Sequence, residues 1–347
     1  MLKPYNKAAI TFDLLTEIGA DGRNSRTFVA HDHQLNAEIV TKQMMKSKLG
    51  APERFFAESQ ALYASAHPNV VQIHYACEDA DHVYLAMPHY RRGSVKSLIT
   101  DRHMTVREIV TIACQVLSGL HNIHSKGLIH FDIKPDNILL SERGEGLVSD
   151  FGQAKEMNLA GIARQDELYA RTLPPEAFAT GDFDVTFDIY QFGLTLYRMC
   201  NGNPAFYAQL ERYDVAGAPD LHKLADDVVS GRFPDRKAFS AHIPSRLRKI
   251  IRKCLELDSV ERYQSALHVA NALADVDGNE LDWRLVETSD TRTWIKNEEG
   301  TLLEMTVKHD GGSECFKTKD GGARRRVTDG CRSSISERDL QKFLGSY

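Results

Sequence analysis

His130-Phe131-Asp132-Ile133-Lys134-Pro135-Asp136-Asn137, followed by Ser149-Asp150-Phe151-Gly152, decides how the rest of this chain is read. The first stretch fixes a carboxylate, an amine and an amide at offsets of two and five residues, and the second adds a carboxylate ahead of a Phe-Gly turn. Each residue has a plain explanation alone: Asp132 as a turn residue, Lys134 as a solvated charge, Asn137 as a cap. Together they form the set that phosphoryl transfer from ATP requires. One carboxylate orients the attacking hydroxyl, an amine meets the moving phosphoryl group, and an amide with a second carboxylate holds the metal.

The two stretches resemble the catalytic loop and Asp-Phe-Gly motif of the eukaryotic-like (Hanks-type) serine/threonine protein kinases, and the compact loops look like those of bacterial members. The resemblance implies that Asp132 is the base, that Asn137 and Asp150 are magnesium ligands, and that Lys134 is the phosphate-side cation. Working back toward the N-terminus, Ile18-Gly19-Ala20-Asp21-Gly22 sits between strand-like runs as a glycine-bearing turn, whose N–H groups can face phosphates. It resembles the family's glycine-rich loop with departures: Asp21 stands at a glycine position and the third glycine is missing. Gly19 and Gly22 are then the expected ATP-side glycines. Lys42 closes the alternating strand Glu38-Ile39-Val40-Thr41-Lys42, which resembles the family's Val-Ala-Ile-Lys, and Glu58 falls where the lysine's partner on the next helix belongs. As isolated surface charges these two would be unremarkable. Val83–Met87 and Pro88-His89-Tyr90 resemble the hinge. Met87 would be the gatekeeper, the Pro88 carbonyl would accept from the adenine amine, and the Tyr90 N–H would donate to the ring. Proline lacks an N–H, but only its carbonyl is required.

Downstream, Thr105-x-x-Glu108 is a capping box opening a helix with apolar residues at helical spacing. His121 and His124 lie on that helix, and a buried or capping role is expected for them rather than metal binding, because no third ligand follows at metal spacing. Phe131 replaces the arginine that in the family pairs with a phosphate on the activation segment, and Tyr169 and Thr172 are the only hydroxyls between Asp150 and Glu176. Both observations imply a site that does not wait for such a phosphate. Leu173-Pro174-Pro175-Glu176, Asp188 at the head of Asp188-Ile189-Tyr190-Gln191-Phe192-Gly193, and Arg262 resemble further family elements. By that resemblance Asp188 holds catalytic-loop amides and Arg262 pairs with Glu176.

Composition agrees with a globular protein: 347 residues, 42% hydrophobic and 26% charged, with a formal charge of -5 that argues against general nucleic-acid affinity. The six cysteines are scattered without a Cys-x-x-Cys pair, as expected of buried thiols in a reducing cytoplasm. No run reaches the roughly 18 apolar residues of a membrane span. After Asp275-Val276-Asp277-Gly278 the character changes. Trp294–Lys296, Leu302–Val307 and Glu314–Lys317 read as strands separated by glycine turns, Arg324-Arg325-Arg326 as a solvated edge, and Ser336-x-x-Asp339 as the cap of a closing helix.

The expected fold is α+β: a two-lobed kinase domain over residues 10–275 (β-rich small lobe 10–87, mostly helical large lobe 91–275), then a small β-rich accessory domain over 280–347. The expected activity is ATP- and magnesium-dependent transfer of the γ-phosphate to serine or threonine on protein substrates, autophosphorylation included, with little dependence on activation-segment phosphorylation. The C-terminal region, with Trp283, Trp294, Phe316 and Phe343 as its core, is expected to dock on the large lobe or be steadied by a protein partner it recruits. Two rivals stand beside this reading. A pseudokinase scaffold is favoured by the departures in the glycine loop and opposed by Lys42, Asp132, Asn137 and Asp150; a small-molecule kinase is opposed by Pro175-Glu176.

Overall fold

The computed structural model describes residues 8–19, 25–49, 56–165, 172–215 and 218–347. β-Branched and aromatic residues between tight polar turns build the first layer. Strands β1 (Phe12–Gly19), β2 (Ser25–Asp32), β3 (Ala37–Met45), β4 (Tyr75–Glu78) and β5 (His82–Pro88) form one antiparallel sheet in the order β1-β2-β3-β5-β4. Helices α1 (Lys46–Leu49) and α2 (Ala57–Ala64) lie between β3 and β4 in the chain, and α2 buries Leu62. Of the helix expected around Glu53–Glu58, residues Glu53–Phe55 lie outside the described residues, as do Gly22 and Tyr169.

The second layer is helical: α3 (Val95–Asp101), α4 (Val106–Ser125), α5 (Thr186–Leu210), α6 (Leu221–Val229), α7 (Ser245–Cys254) and α8 (Ala266–Ala274). The capping box forms, with Thr105 Oγ1 accepting from Glu108 N at 3.2 Å and Glu108 Oε2 accepting from Thr105 N at 2.8 Å. Ile109, Ile112, Val116 and Leu120 then face the core, as their spacing dictates. α5 is broken at Gly202 (φ 79°) and is buried along nearly all its length before that point. A Cβ on Gly193 would lie 2.5 Å from Cys254 Cβ, so glycine is what lets α5 and α7 approach. Short ladders complete the lobe. They pair β6 (Leu128–Ile129) with β9 (Lys155–Glu156), β7 (Ile138–Leu140) with β8 (Gly146–Val148), β10 (Ala163–Arg164) with β11 (Asp182–Phe183), and β12 (Asp214–Val215) with β13 (Ala218–Pro219).

The C-terminal region is a meander, β14 (Arg284–Glu287), β15 (Thr291–Glu298), β16 (Thr301–Lys308), β17 (Ser313–Lys319) and β18 (Arg325–Arg326), closed by α9 (Glu337–Ser346). The β15–β16 turn is Glu299-Gly300, both at positive φ (48° and 73°), which suits a two-residue hairpin. Trp283, Trp294, Met305, Cys315, Phe343 and Leu344 share its core. Phe316, expected in that core, is not there. The period of two sends Ser313 and Cys315 inward and Phe316 outward, where the Arg324 guanidinium stacks 3.9 Å from its ring centre. Arg325 and Arg326 are exposed on the edge strand, as expected.

This region packs on the large lobe. Ala241 enters its apolar core, and Trp294 Nε1 donates to His242 Nδ1 at 3.1 Å. Around that contact Arg107 meets Asp282 (2.7 and 2.8 Å) and His103 meets Glu287 (3.2 Å). His242 is fully buried, and burial, reinforced by His103 and Arg248, pushes its pKa down to about 3. In the unfolded chain it titrates near 6.5. Between these values the unfolded chain binds a proton that the folded one rejects. The stability due to neutral His242 is therefore present above pH 6.5 and lost as pH falls, at up to ~1.4 kcal/mol per pH unit. The melting temperature is expected to drop between pH 7.5 and 5, and His242→Asn should flatten that drop. An unchanged slope in the variant would contradict the packing described.

Candidate active site

The catalytic loop is held from beneath by polar groups on a buried helix. Asp188, in the first turn of α5, accepts His130 N with Oδ2 and Phe131 N with Oδ1, both at 2.8 Å. His124 Nε2 meets the same carboxylate at 2.8 Å, which gives His124 a structural partner; His121 is exposed, against expectation. One turn along α5, Gln191 Oε1 accepts Ile133 N (2.9 Å) while its Nε2 donates to Phe131 O (3.0 Å). Thr195 Oγ1 donates to Ile133 O at 3.3 Å. Residues 188, 191 and 195 share one helix face. Gln191 and Thr195 were not anticipated as loop holders. The signal was there: polar residues at helical spacing within an otherwise apolar run.

Held this way, Phe131 adopts φ 64°, and the buried Asp132 follows directly after this bend. Asp132 Oδ2 accepts from Lys134 Nζ and from Asn137 Nδ2, each at 2.8 Å. Asp132 Oδ1 is buried and has no hydrogen-bond partner among the described residues. A buried acceptor left unpaired costs about 1–3 kcal/mol, so this oxygen is primed to accept a hydroxyl. Asn137 Nδ2 also donates to Asp132 O (2.9 Å), which commits the amide nitrogen and turns Oδ1 away from Asp132. Ser149 N and Oγ both reach Asn137 O (2.9 and 3.0 Å), which sets Asn137 beside the start of Asp150.

Across the cleft, Lys42 on β3 joins three elements. Its Nζ donates to Glu58 Oε1 on α2 and to Asp150 Oδ1, both at 2.7 Å. Burial alone would lower the Lys42 pKa, but the Asp150 and Glu58 carboxylates outweigh it and hold the ammonium above its ordinary range. Lys42 in turn holds the Asp150 carboxyl well below the usual carboxylate range, against its own burial. For Glu58, burial dominates and raises its pKa, with Lys42 opposing and Asp150 reinforcing. Asp150 sits at φ 62° and accepts from Gly152 N at 3.3 Å. A Cβ on Gly152 would lie 3.2 Å from Asp150 Oδ1, a tight approach that would crowd the carboxylate held by Lys42. Phe151 is buried edge-on to His130, with ring centres 5.0 Å apart.

The remaining expected residues frame this cleft. Met87 lies opposite Val40 and Pro88 opposite Ile39 in the β3–β5 ladder. Tyr90 follows in a turn closed by Gly93 N to Tyr90 O (3.0 Å), and its hydroxyl accepts Gln72 N at 3.4 Å. Gly19 ends β1 opposite Thr27. Below the cleft Arg262, buried over the Tyr190 ring, grips both oxygens of Glu176 at 2.7 Å. Phe131 packs edge-on against Phe187 (4.9 Å) and Phe183 (5.8 Å), with Ala163 and Leu173 of the segment after Asp150 beside them. Thr172 is buried, its hydroxyl accepting from Gln191 Nε2 at 3.4 Å.

A β-sheet lobe over a helical lobe, with a lysine–carboxylate chain and a pinned Asp-x-Lys-x-x-Asn loop in the cleft, defines the protein kinase class. The family model for the protein kinase domain matches residues 12–273, and the chain belongs to that family. Its relatives include a "probable serine/threonine-protein kinase" of Clostridium perfringens, 28% identical over 271 residues covering 76% of this chain and 38% of that protein. Serine/threonine-protein kinase PknD of Chlamydia muridarum is 25% identical over 82% of this chain and 34% of its own length, and pkn2 of Myxococcus xanthus is 29% identical over 76% and 32%. The chain spans about a third of the length of these relatives.

A double-mutant cycle tests the cleft. Lys42→Met and Glu58→Gln are expected to be non-additive in unfolding free energy, with a coupling above about 1 kcal/mol, because each charge is buried against the other. Additive effects would mean that the pair does not form.

Proposed function

We propose that the protein transfers the γ-phosphate of ATP to serine or threonine hydroxyls of protein substrates and of itself. The observation that carries this reading is the unpaired, buried Asp132 Oδ1, on a carboxylate whose other oxygen is fixed by Lys134 and Asn137. It receives the substrate hydroxyl's hydrogen bond and takes its proton as the oxygen attacks. Lys134 lies beside the transferring group and stabilises its charge. Lys42, braced by Glu58, holds the ATP phosphates, with Gly19 and, by the resemblance of the loop, Gly22 as the glycines on the phosphate side, while the Pro88 carbonyl and the Tyr90 N–H read the adenine beyond Met87. Asn137 Oδ1 and the Asp150 carboxylate are hard oxygen donors, suited to magnesium, which keeps its other positions for water and phosphate. When bound, that ion neutralises charge on the β- and γ-phosphates.

We also infer that an activating phosphate is dispensable. Phe131 has no charge to offer one; its contacts with Phe183 and Phe187 support a segment ordered by packing, and buried Thr172 is poorly placed to accept a phosphoryl group. The C-terminal region is proposed as an accessory module that recruits a protein partner. A cytoplasmic location is supported by six unpaired thiols. Among the described residues no helix is long and apolar enough to cross a membrane. The scaffold alternative has less support, since an assembled Lys42–Glu58–Asp150 chain serves nucleotide binding.

Asp132→Asn keeps the shape and removes the base. Phosphate transfer to a generic protein acceptor should fall at least about a hundredfold while the affinity for an ATP analogue, followed by fluorescence, stays the same; undiminished transfer would overturn the assignment. Thr172→Ala should keep its rate within about tenfold, a change of ~1.4 kcal/mol in barrier. A deeper loss, together with phosphate mapped to Thr172, would contradict the inference on activation.

A further inference from the structure

The contact between the large lobe and the C-terminal sheet does more than bury Trp294. Beside it the two regions leave a groove of about 640 Å3, walled on one side by α5 and the segment leading to α7, and on the other by β15 and α9. That volume falls within the ~300–1,000 Å3 usual for binding clefts. Its charge is one-sided. Lys237, Arg248, Arg292 and Arg338 line it against a single carboxylate, Glu337, which Arg292 already engages at 2.5 Å. Lys237 and Arg338 are exposed, and among the described residues neither side chain has an ion-pair partner. Asp235, just beyond the lining, takes the Lys237 backbone N–H at 3.0 Å.

The cations are arranged rather than scattered. Arg248 is aimed by donating to the carbonyls of Ile243 (2.7 Å), Ser240 (3.1 Å) and Ala241 (3.4 Å). Burial and neighbouring Arg252 pull its pKa below the ordinary guanidinium range, so an anion placed here relieves it. α7, which carries Arg248, has no acidic residue.

We propose that this groove is a docking site for an acidic, Asp/Glu-rich segment of a protein partner or substrate. The proposal rests on the recruiting role suggested above and gives it a place and a chemistry. Charge complementarity selects the occupant. A nucleic-acid strand suits it less, because strand binding needs open aromatic faces for stacking. Tyr197 is fully buried with its hydroxyl bonded to Gln209 (2.8 Å), and the Phe239 ring is covered by Tyr197, Arg248 and Arg252.

The test is binding by the full chain, without ATP, of a fluorescein-labelled ten-residue peptide of alternating Glu and Ala, read by anisotropy at low salt. K237E/R338E should weaken it by at least about tenfold and K237A/R338A by about threefold, in line with the loss of one or two complementary charges. K317E/K319E makes the same net-charge change at the opposite end of the sheet, where Lys319 pairs with Thr301, and should change binding less than about twofold. Equal losses in the groove and control variants, or no loss in either groove variant, would overturn the proposal. So would tighter binding of a ten-nucleotide oligothymidylate than of the peptide, or equal binding of an alternating Lys and Ala peptide. Because no phosphate transfer is measured, failure here leaves the kinase reading standing; loss of transfer in Asp132→Asn tests that reading separately.

Discussion

The carboxylate of Asp188 is the constraint on which the site depends. It accepts two consecutive catalytic-loop N–H groups and a histidine from inside the large lobe, where water cannot replace them. Hydrogen bonds to a charged group are worth roughly 1.5–3 kcal/mol each, and their buried donors would be costly to leave unpaired. That set allows Phe131 a positive φ which a bulky residue otherwise avoids. Beyond the bend, Asp132 keeps Oδ2 bound while Oδ1 stays buried without a partner among the described residues. Gln191 and Thr195 extend the same support one and two turns along α5.

From this anchor two couplings run outward. One is ionic: Lys42 ties β3, α2 and the turn after Asp150 together, so the two lobes share a chain of charges across the cleft. The other is apolar. Phe131, buried at the bend, is the hub of an aromatic cluster with Phe183 and Phe187 that also touches Ala163 and Leu173. An arginine at 131 would bring a charge into this apolar cluster, where it would be costly without a partner. A phenylalanine instead packs Ala163 and Leu173 of the neighbouring segment into the same apolar cluster, which is what supports the proposal that packing orders it.

Much of this was legible in the sequence because the signals are local. Asp132, Lys134, Asn137 and Asp150 lie within a short span, and the strands and capped helix of the C-terminal region follow from alternation, glycine turns and Ser336. What was not legible depends on groups far apart in the chain. Nothing near Trp294 announces that its indole meets His242, or that Lys237 and Arg338 come to share a groove. The spacing of His121 and His124 argues against a metal pair, but it does not reveal that His124 meets Asp188, 64 residues away. Phe316 looked like core by residue type, and the parity of its strand overruled that.

The most direct measurement of the central claim is the initial rate of γ-phosphate transfer by protein stripped of all phosphate. The chain is made with a phosphatase, shown by intact mass to be unmodified, and assayed before it can modify itself. A rate within about threefold of that of the phosphorylated protein is expected, a difference of under ~1 kcal/mol in barrier. A long lag, with activity rising more than tenfold only as phosphate appears between Asp150 and Glu176, would contradict a site held ready by Asp188 and Phe131.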